Sequence, residues 1–346
     1  MVAKKYGVVY TPKRLAEFAA ELLYREAADT NTEIISVLDP ACGECALLCA
    51  AKEYFNGNVK YFGIDVDKDA IIDANKDFEI QYNDSILPRN VKKQTAEYWR
   101  SKMQKISAIL ANPPWSSEKI YVREDLQNAG FSLTTGQYDS FVLFVELAYN
   151  LLDDGGYFSF IIPDSLFDAQ NEKLRRFLTE KMQIKVIARL GEKIFEEVNR
   201  ATTVIVCRKT KANRDSITHC FRLTTEDRKK FLTSNLSLLD FYNEGVHDVL
   251  QRRFAENAAC NFDVDTRSDE EALLSKIKQD SIVGNVGEAV GDWRSNGKHY
   301  ERIQGIVMDT RYLMYHYSGK PLKEKVALAE CIEAVLGRDP VPAPRT

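Results

Sequence analysis

Nothing in this sequence is long and apolar enough to cross a bilayer. The longest apolar run, SFVLFVELAYNLL, is interrupted by Glu146 and falls short of the ~20 residues a spanning helix needs. The start, MVAKKYGVVYTP, has no apolar core of the kind a secretory signal carries. Positive charge is not in excess either. A net charge of −4 argues against a uniformly basic nucleic-acid binder and leaves local basic patches open. Only four histidines occur, His219, His247, His299 and His316, and their scatter suggests no cluster. There is no internal repeat and no low-complexity segment. Glu-x-Lys is missing, and Asp-x-Lys occurs only at Asp227-Arg228-Lys229, so a fused metal-dependent nuclease is not expected. No stretch ahead of the first elements would house one. Seven cysteines, an odd number without a secretion signal, point to reduced thiols and a cytoplasmic protein.

What is present is ordinary for a globular chain: 45% hydrophobic and 28% charged residues. The 346 residues exceed the roughly 250–300 at which one core stops growing, which predicts a large domain plus an appendage. YTPKRLAEFAAELLYREA reads as a first helix, with Thr11 as its cap and Pro12 at its first position. Short β-branched runs follow at 34–39, 59–65, 78–84 and 106–112, separated by helical or glycine-containing stretches. Asp67 is placed to cap the helix VDKDAIIDANK. A polar stretch at 116–136 is too long for a simple connector and reads as a lid or binding loop. YDSFVLFVELAYNLL is a helix ended by DDGG, YFSFIIP a fifth strand, DSLFDAQNEKLRRFLTEK a helix, and IKVIARL and TTVIVCRK two more strands. This alternation predicts a doubly wound, mainly parallel α/β sheet of seven strands. GEKIFEEVNRA leaves little room for a crossover helix, so the last strand should run antiparallel. Past about Thr210 the pattern weakens, which places the domain boundary there. The glycine-rich VGNVGEAVGDWRSNGKHY and the proline-rich end belong to a C-terminal extension, 211–346.

The turn Asp39-Pro40-Ala41-Cys42-Gly43 joins a strand to a helix. There a glycine lets a ligand approach the backbone, and the helix start offers free N–H groups. Asp65 ends the second strand 26 positions later, suitably placed to accept from ribose hydroxyls. Cys42, Cys45 and Cys49 invite a metal reading, but they should share one helix face as small packing residues, and no metal site is assigned. ILANPPWSSEK ends a strand with Asn112-Pro113-Pro114-Trp115, a combination a plain turn does not need.

Together, YTP before the first strand, DPACG after it, Asp65, Asp84 and Asn112-Pro-Pro-Trp115 resemble the S-adenosylmethionine-dependent DNA methyltransferases that modify adenine N6. The subgroup is that of type I modification subunits and type IIG restriction–modification enzymes. The resemblance covers roughly residues 6–210 and extends through YDSFVLFVELAYNLLDDGGYFSFIIPDSLF and IFEEVNRATTVIV. It implies a class I methyltransferase (Rossmann-like) fold over residues 1–210. It further implies that Tyr10, Thr11 and Pro12 cover the methionine end of the cofactor and that Asp39, Pro40, Ala41, Cys42 and Gly43 form the turn beside it. Asp65 would take the ribose and Asp84 the adenine amino group of the cofactor. Asn112 and Pro113 would be the catalytic pair, with Pro114 completing the motif, Trp115 stacking on the target base and Phe195 a second pocket aromatic. One departure stands out: the family commonly has a second glycine where Cys45 lies, and a thiol there could crowd the cofactor.

The motif suits the chemistry. The adenine N6 lone pair is delocalised into the ring, and two acceptors, the Asn112 side-chain oxygen and the Pro113 carbonyl, would favour a pyramidal nitrogen. Asparagine cannot take a proton at neutral pH, so its part is positional and electrostatic. A duplex hides this nitrogen, so the base must be flipped out onto Trp115. The expected activity is adenine-N6 methylation of DNA in a restriction–modification or related defence system. Target recognition would come from a specificity or restriction subunit or from a domain that begins in 211–346. Transfer to RNA or to a protein glutamine, or a silent DNA-binding scaffold, are the alternatives. Taken singly the residues have plainer readings: a rigid turn at 112–115, strand-end acids at Asp65 and Asp84, a loop anchor at Trp115, core at Phe195.

Overall fold

The computed structural model describes residues 10–69, 77–91, 94–103, 105–115, 121–134, 136, 138–195 and 200–265. Contacts divide the chain into two units at Val264, and apart from Asp265 the described residues belong to the first. Among them runs one nine-stranded sheet in the order β3-β2-β1-β4-β5-β7-β6-β8-β9. Its strands are β1 Ser36–Asp39, β2 Lys60–Asp65, β3 Glu79–Tyr82, β4 Ile106–Ala111 and β5 Leu152–Pro163. They continue with β6 Gln183–Gly191, β7 Thr202–Arg208, β8 Ile217–Arg222 and β9 His247–Leu250. The first five strands pair in parallel, and β7 runs antiparallel between β5 and β6, as the short connection before it predicts.

Both faces of this sheet are covered, and the strand residues show it. Val37, Ala108, Leu110, Tyr157 and Ile161 belong to one core; their neighbours Leu38, Ile109, Ala111, Phe158 and Phe160 belong to the other. The first core is closed by α1 (Lys13–Asp29), whose Leu15, Phe18, Ala19, Leu22 and Leu23 recur at helical spacing, and by α2 (Ala46–Tyr54). The second is closed by α3 (Thr95–Met103), α5 (Phe141–Leu151) and α6 (Glu172–Lys181). α5 is buried almost all round. Its Glu146 is 3% exposed, yet it accepts from the Ser132 and Leu133 amides (2.7 and 3.0 Å) and the Ser132 hydroxyl (2.5 Å). Those bonds fix the end of the long 116–136 stretch, which also contains the short helix α4 (Arg123–Asn128).

Four expectations need correction. The unit does not end near Thr210: β8 adds in parallel to β6, β9 adds antiparallel to β8, the helices α8 (Leu238–Gly245) and α9 (Arg252–Glu256) pack beside them, and α7 (Thr225–Thr233) is held to α1 by Arg14 over the Phe231 ring. The buried guanidinium of Arg175 on α6 donates to the carbonyls of Cys260 (3.0 Å) and Ala259 (3.1 Å), stitching that late segment to the sheet layer. Thr11 does not cap α1; the helix begins at Lys13, Pro12 is its cap residue, and the Pro12 carbonyl accepts from the Leu15 and Ala16 amides. DDGG does not separate α5 from the fifth strand, because β5 starts directly at Leu152. The three early cysteines do not share a helix face: Cys42 and Cys45 lie buried in the turn before α2, and Cys49 is exposed. Asp67 accepts from the Asp69 amide (3.0 Å) as a cap would, but the helix expected after it lies outside the described residues, as do VGNVGEAVGDWRSNGKHY and the proline-rich end.

Candidate active site

β1, β2, β3 and β4 are parallel, so their carboxyl ends share one edge of the sheet, and the chain switches sides at β1. An open cleft, about 930 Å³ of empty space with the solvent at its mouth included, lies there. Of the residues expected to hold cofactor or base, all but Pro12 and Phe195 line it. Pro12 is spent on starting α1, and Phe195 sits behind the wall.

The turn after β1 is held from several directions. The Asp39 carboxylate accepts from the Ala41 amide (3.0 Å), the Cys42 amide donates to the Ile64 carbonyl (3.0 Å), and Ser85 Oγ donates to the Pro40 carbonyl (2.5 Å). Asp65 does more than end β2: Oδ2 accepts from the Gly43 amide (2.7 Å) and Oδ1 from the Asp67 amide (2.8 Å). Gly63 lets the two strand ends close up, since a Cβ there would meet Ile80 Cδ1 at 2.6 Å and Cys42 Sγ at 2.9 Å. Cys45 has φ = 65°, a left-handed backbone that glycine adopts without penalty and cysteine at about 1–2 kcal/mol. The family's second glycine therefore answers a backbone need. The Cys45 side chain is 1% exposed and is not part of the cleft wall, so it does not crowd the space.

Three carboxylates, Asp39, Asp65 and Asp84, stand at this edge, and burial raises the pKa of each above the ordinary value. Hydrogen bonds from backbone amides oppose that rise. Asp84 Oδ1 accepts from the Ile86 and Leu87 amides at 2.8 and 3.0 Å. The Tyr121 hydroxyl lies 3.1 Å from both of its oxygens.

At the end of the fully buried β4, the Asn112 amide nitrogen donates to Thr11 Oγ1 (3.1 Å), and both residues line the cleft. The next residues are clamped. Ser140 Oγ donates to the Pro114 carbonyl, Arg200 to the Trp115 carbonyl (2.7 Å), and Trp115 Nε1 to the Ile161 carbonyl (3.3 Å). Trp115 is 7% exposed and packs perpendicular to the Phe195 ring, centroids 5.2 Å apart at 89°. It is thus a loop anchor and a piece of the cleft wall at once, with Phe195 as its buttress.

The N-6 DNA methylase family profile matches residues 1–283. This chain belongs to that family. It is 28% identical over 178 residues to the type II methyltransferase M.VspI of Vibrio sp. (strain 343), which covers 50% of this chain and 41% of that protein. It is 27% identical over 195 residues to YtxK of Bacillus subtilis (strain 168), covering 53% of this chain and 54% of YtxK. The chain thus spans about half the length of these curated relatives. A modification subunit of a putative type I restriction enzyme from Vibrio vulnificus YJ016 superposes with a TM-score of 0.55 at 16% identity, over 76% of this chain and 60% of that one. That likeness is one of fold, and the fold is the class I methyltransferase one, extended by β8 and β9.

Within this family member, some residues of the site gave no sequence signal. Tyr121 stood inside a polar loop, Ser140 in front of an apolar helix, and Arg200 beside a strand. Phe144, a cleft residue, was hidden in the apolar face of α5. Among the described residues, no three His, Cys, Asp or Glu side chains come together as metal ligands, and no helix is long and apolar enough to cross a membrane.

Proposed function

We propose that this N-6 DNA methylase family member transfers a methyl group from S-adenosylmethionine to N6 of an adenine flipped out of DNA, in a restriction–modification or related defence system. One observation carries the reading: the Asn112–Trp115 run opens into the same cleft as Asp65 and Asp84, with the Asn112 side chain held by a hydrogen bond to Thr11.

The residues present fit the methyl donor. A Cβ built on Gly43, at φ = 46°, meets nothing within 4 Å, so the space over the turn is open to a ligand. Asp65 and Asp84, on neighbouring strand ends, would hold ribose and adenine groups, with Tyr10, Thr11 and the Asp39–Gly43 turn toward the amino-acid end. When bound, the cofactor supplies an electrophilic methyl on a sulfonium centre. Asn112 and the Pro113 carbonyl would accept the two N–H groups of the target amine, drawing its lone pair out of the ring. Neither oxygen can keep a proton at neutral pH, so the proton released on methylation leaves to solvent. Trp115, stiffened by three hydrogen bonds along its loop and by Phe195, would offer its face to the base.

Type I modification subunits, by their name, serve within larger enzymes. Target choice is accordingly assigned to a specificity or restriction subunit or to the residues past Val264. The expectation of recognition by 211–346 narrows to that part, because 217–264 are used in the sheet unit. Cys45, turned away from the cleft, gives no support to a silent scaffold.

The test is mass spectrometry of nucleosides after incubation with labelled cofactor and DNA, with RNA and a glutamine-bearing protein as parallel substrates. Labelled N6-methyladenosine from DNA is expected. In Asn112→Ala the rate should drop about 10²–10³-fold, the usual loss of one preorganised polar contact. Label in RNA or protein alone would replace this reading with one of its alternatives.

A further inference from the structure

Asp84 is the acid assigned to the amino group of the cofactor's adenine, and its two oxygens are not equally engaged. Oδ1 takes two backbone amides, from Ile86 and Leu87, which fills that oxygen. Oδ2 is left as the place where an amino group can dock. Within hydrogen-bond distance of it, and equally of Oδ1, sits the Tyr121 hydroxyl, a cleft-lining group six positions beyond Trp115. A phenol and an exocyclic amine both bring a hydrogen to the same carboxylate oxygen.

We propose that Tyr121 is a latch on the cofactor's base subsite, its hydroxyl holding Asp84 until the adenine amino group displaces it. The inference rests on reading the cleft as the cofactor site. It assigns Tyr121 two consequences. In the free chain a half-buried carboxylate keeps a donor, which limits the cost of its burial. On cofactor entry the tether between Asp84 and Tyr121, two residues ahead of α4, is released. The two ligands of the reaction are then coupled through one hydrogen bond: cofactor binding frees Tyr121, which lines the same cleft as Trp115. Coupling of this kind favours an order, cofactor before DNA, and by linkage a DNA-bound chain would hold the cofactor more tightly.

Calorimetry with S-adenosylhomocysteine, which cannot turn over, on wild type, Tyr121→Phe and Asp84→Asn separates the possibilities. Tyr121→Phe keeps the ring and deletes only the competing hydroxyl. It should bind about tenfold more tightly, the low end of what a hydrogen bond to a charged group contributes. Asp84→Asn should bind more weakly than wild type. Hydrogen exchange of amides 121–128 supplies a second readout: the ligand should speed it in wild type, and Tyr121→Phe should exchange fast already. Equal or weaker binding by Tyr121→Phe, or exchange in wild type slowed by ligand, overturns the latch and leaves Tyr121 a fixed wall of the subsite. If neither wild type nor Tyr121→Phe binds the ligand, the cofactor reading itself fails, and the latch with it.

Discussion

Replacing Thr11 by valine removes one atom's worth of chemistry and almost no volume. Thr11 Oγ1 is the acceptor for the Asn112 amide nitrogen at 3.1 Å. An asparagine side chain turns easily about its last bond, so a hydrogen-bonded partner is what holds its amide in one place. With the nitrogen tied to Thr11, the side-chain oxygen would be the end left for the target amine. Valine cannot accept, and the preference for the productive orientation falls by the net worth of one neutral hydrogen bond, about 0.5–1.5 kcal/mol. At 0.59 kcal/mol per unit of RT this is a roughly two- to tenfold slower methyl transfer. The loss is far smaller than for Asn112→Ala, because valine disorders the acceptor without deleting it. Folding should shift by no more than about 1 kcal/mol, as Thr11 caps no helix. The assay is single-turnover transfer of labelled methyl to DNA at saturating cofactor, with KM for DNA measured separately. The rate constant should fall while KM for DNA holds, the pattern of an interaction needed in the transition state. Thr11→Ser keeps the acceptor and should restore most of the rate. A Thr11→Val enzyme as fast as wild type, or a Thr11→Ser enzyme as slow as Thr11→Val, would refute the orienting role.

Two further expectations concern stability. Burial raises the Asp84 pKa in the folded chain, so the charged form is less favoured there than in the unfolded one. Its contribution to stability is greatest below the unfolded pKa and is lost as pH rises through the folded pKa; Asp84→Asn should therefore melt higher than wild type at pH 8. That advantage should close as the pH falls below the ordinary carboxylate range, and a lower melting temperature at pH 8 would count against burial as the dominant influence. Arg175 is fully buried and donates to the carbonyls of Leu166 (2.7 Å), Asp168 (2.6 Å), Cys260 and Ala259, so Arg175→Met strands several acceptors. The expected cost is about 3–5 kcal/mol in denaturant unfolding, a large share of a typical 5–15 kcal/mol. Ending the chain at Thr210 deletes two of the same acceptors and should leave no cooperative unfolding transition; a well-folded 1–210 fragment would restore the earlier boundary.

Much of the catalytic unit was legible because its signals are local. β1, β4 and β7 are buried on both faces, so their apolar runs are nearly continuous, and the helices between them repeat every three to four residues. The antiparallel β7 followed from chain length alone, since too few residues precede it for a crossover. β8 and β9 escaped for the opposite reason. ITHCFR and HDVL are short and mix polar with apolar residues, and Thr218 is tolerated inside only because its hydroxyl finds the Ile184 carbonyl at 2.8 Å. Whether such a segment is a strand depends on an edge offered by β6, far away in sequence.

The site divides in the same way. The order of residues along the chain determined which chemistry is on offer: a glycine turn, acids at strand ends and a rigid Asn-Pro-Pro-Trp run, each next to its strand. Residue types and spacings carry that much because a strand end fixes where the following residue emerges. Only the folded chain decided that Thr11 turns Asn112, that Arg200 and Ser140 clamp the motif, that Phe195 backs Trp115, and that Tyr121 reaches Asp84. These are pairings between residues 26 to 101 positions apart. No periodicity or local pattern encodes such pairings, since they exist only once the sheet has brought its strand ends to one edge.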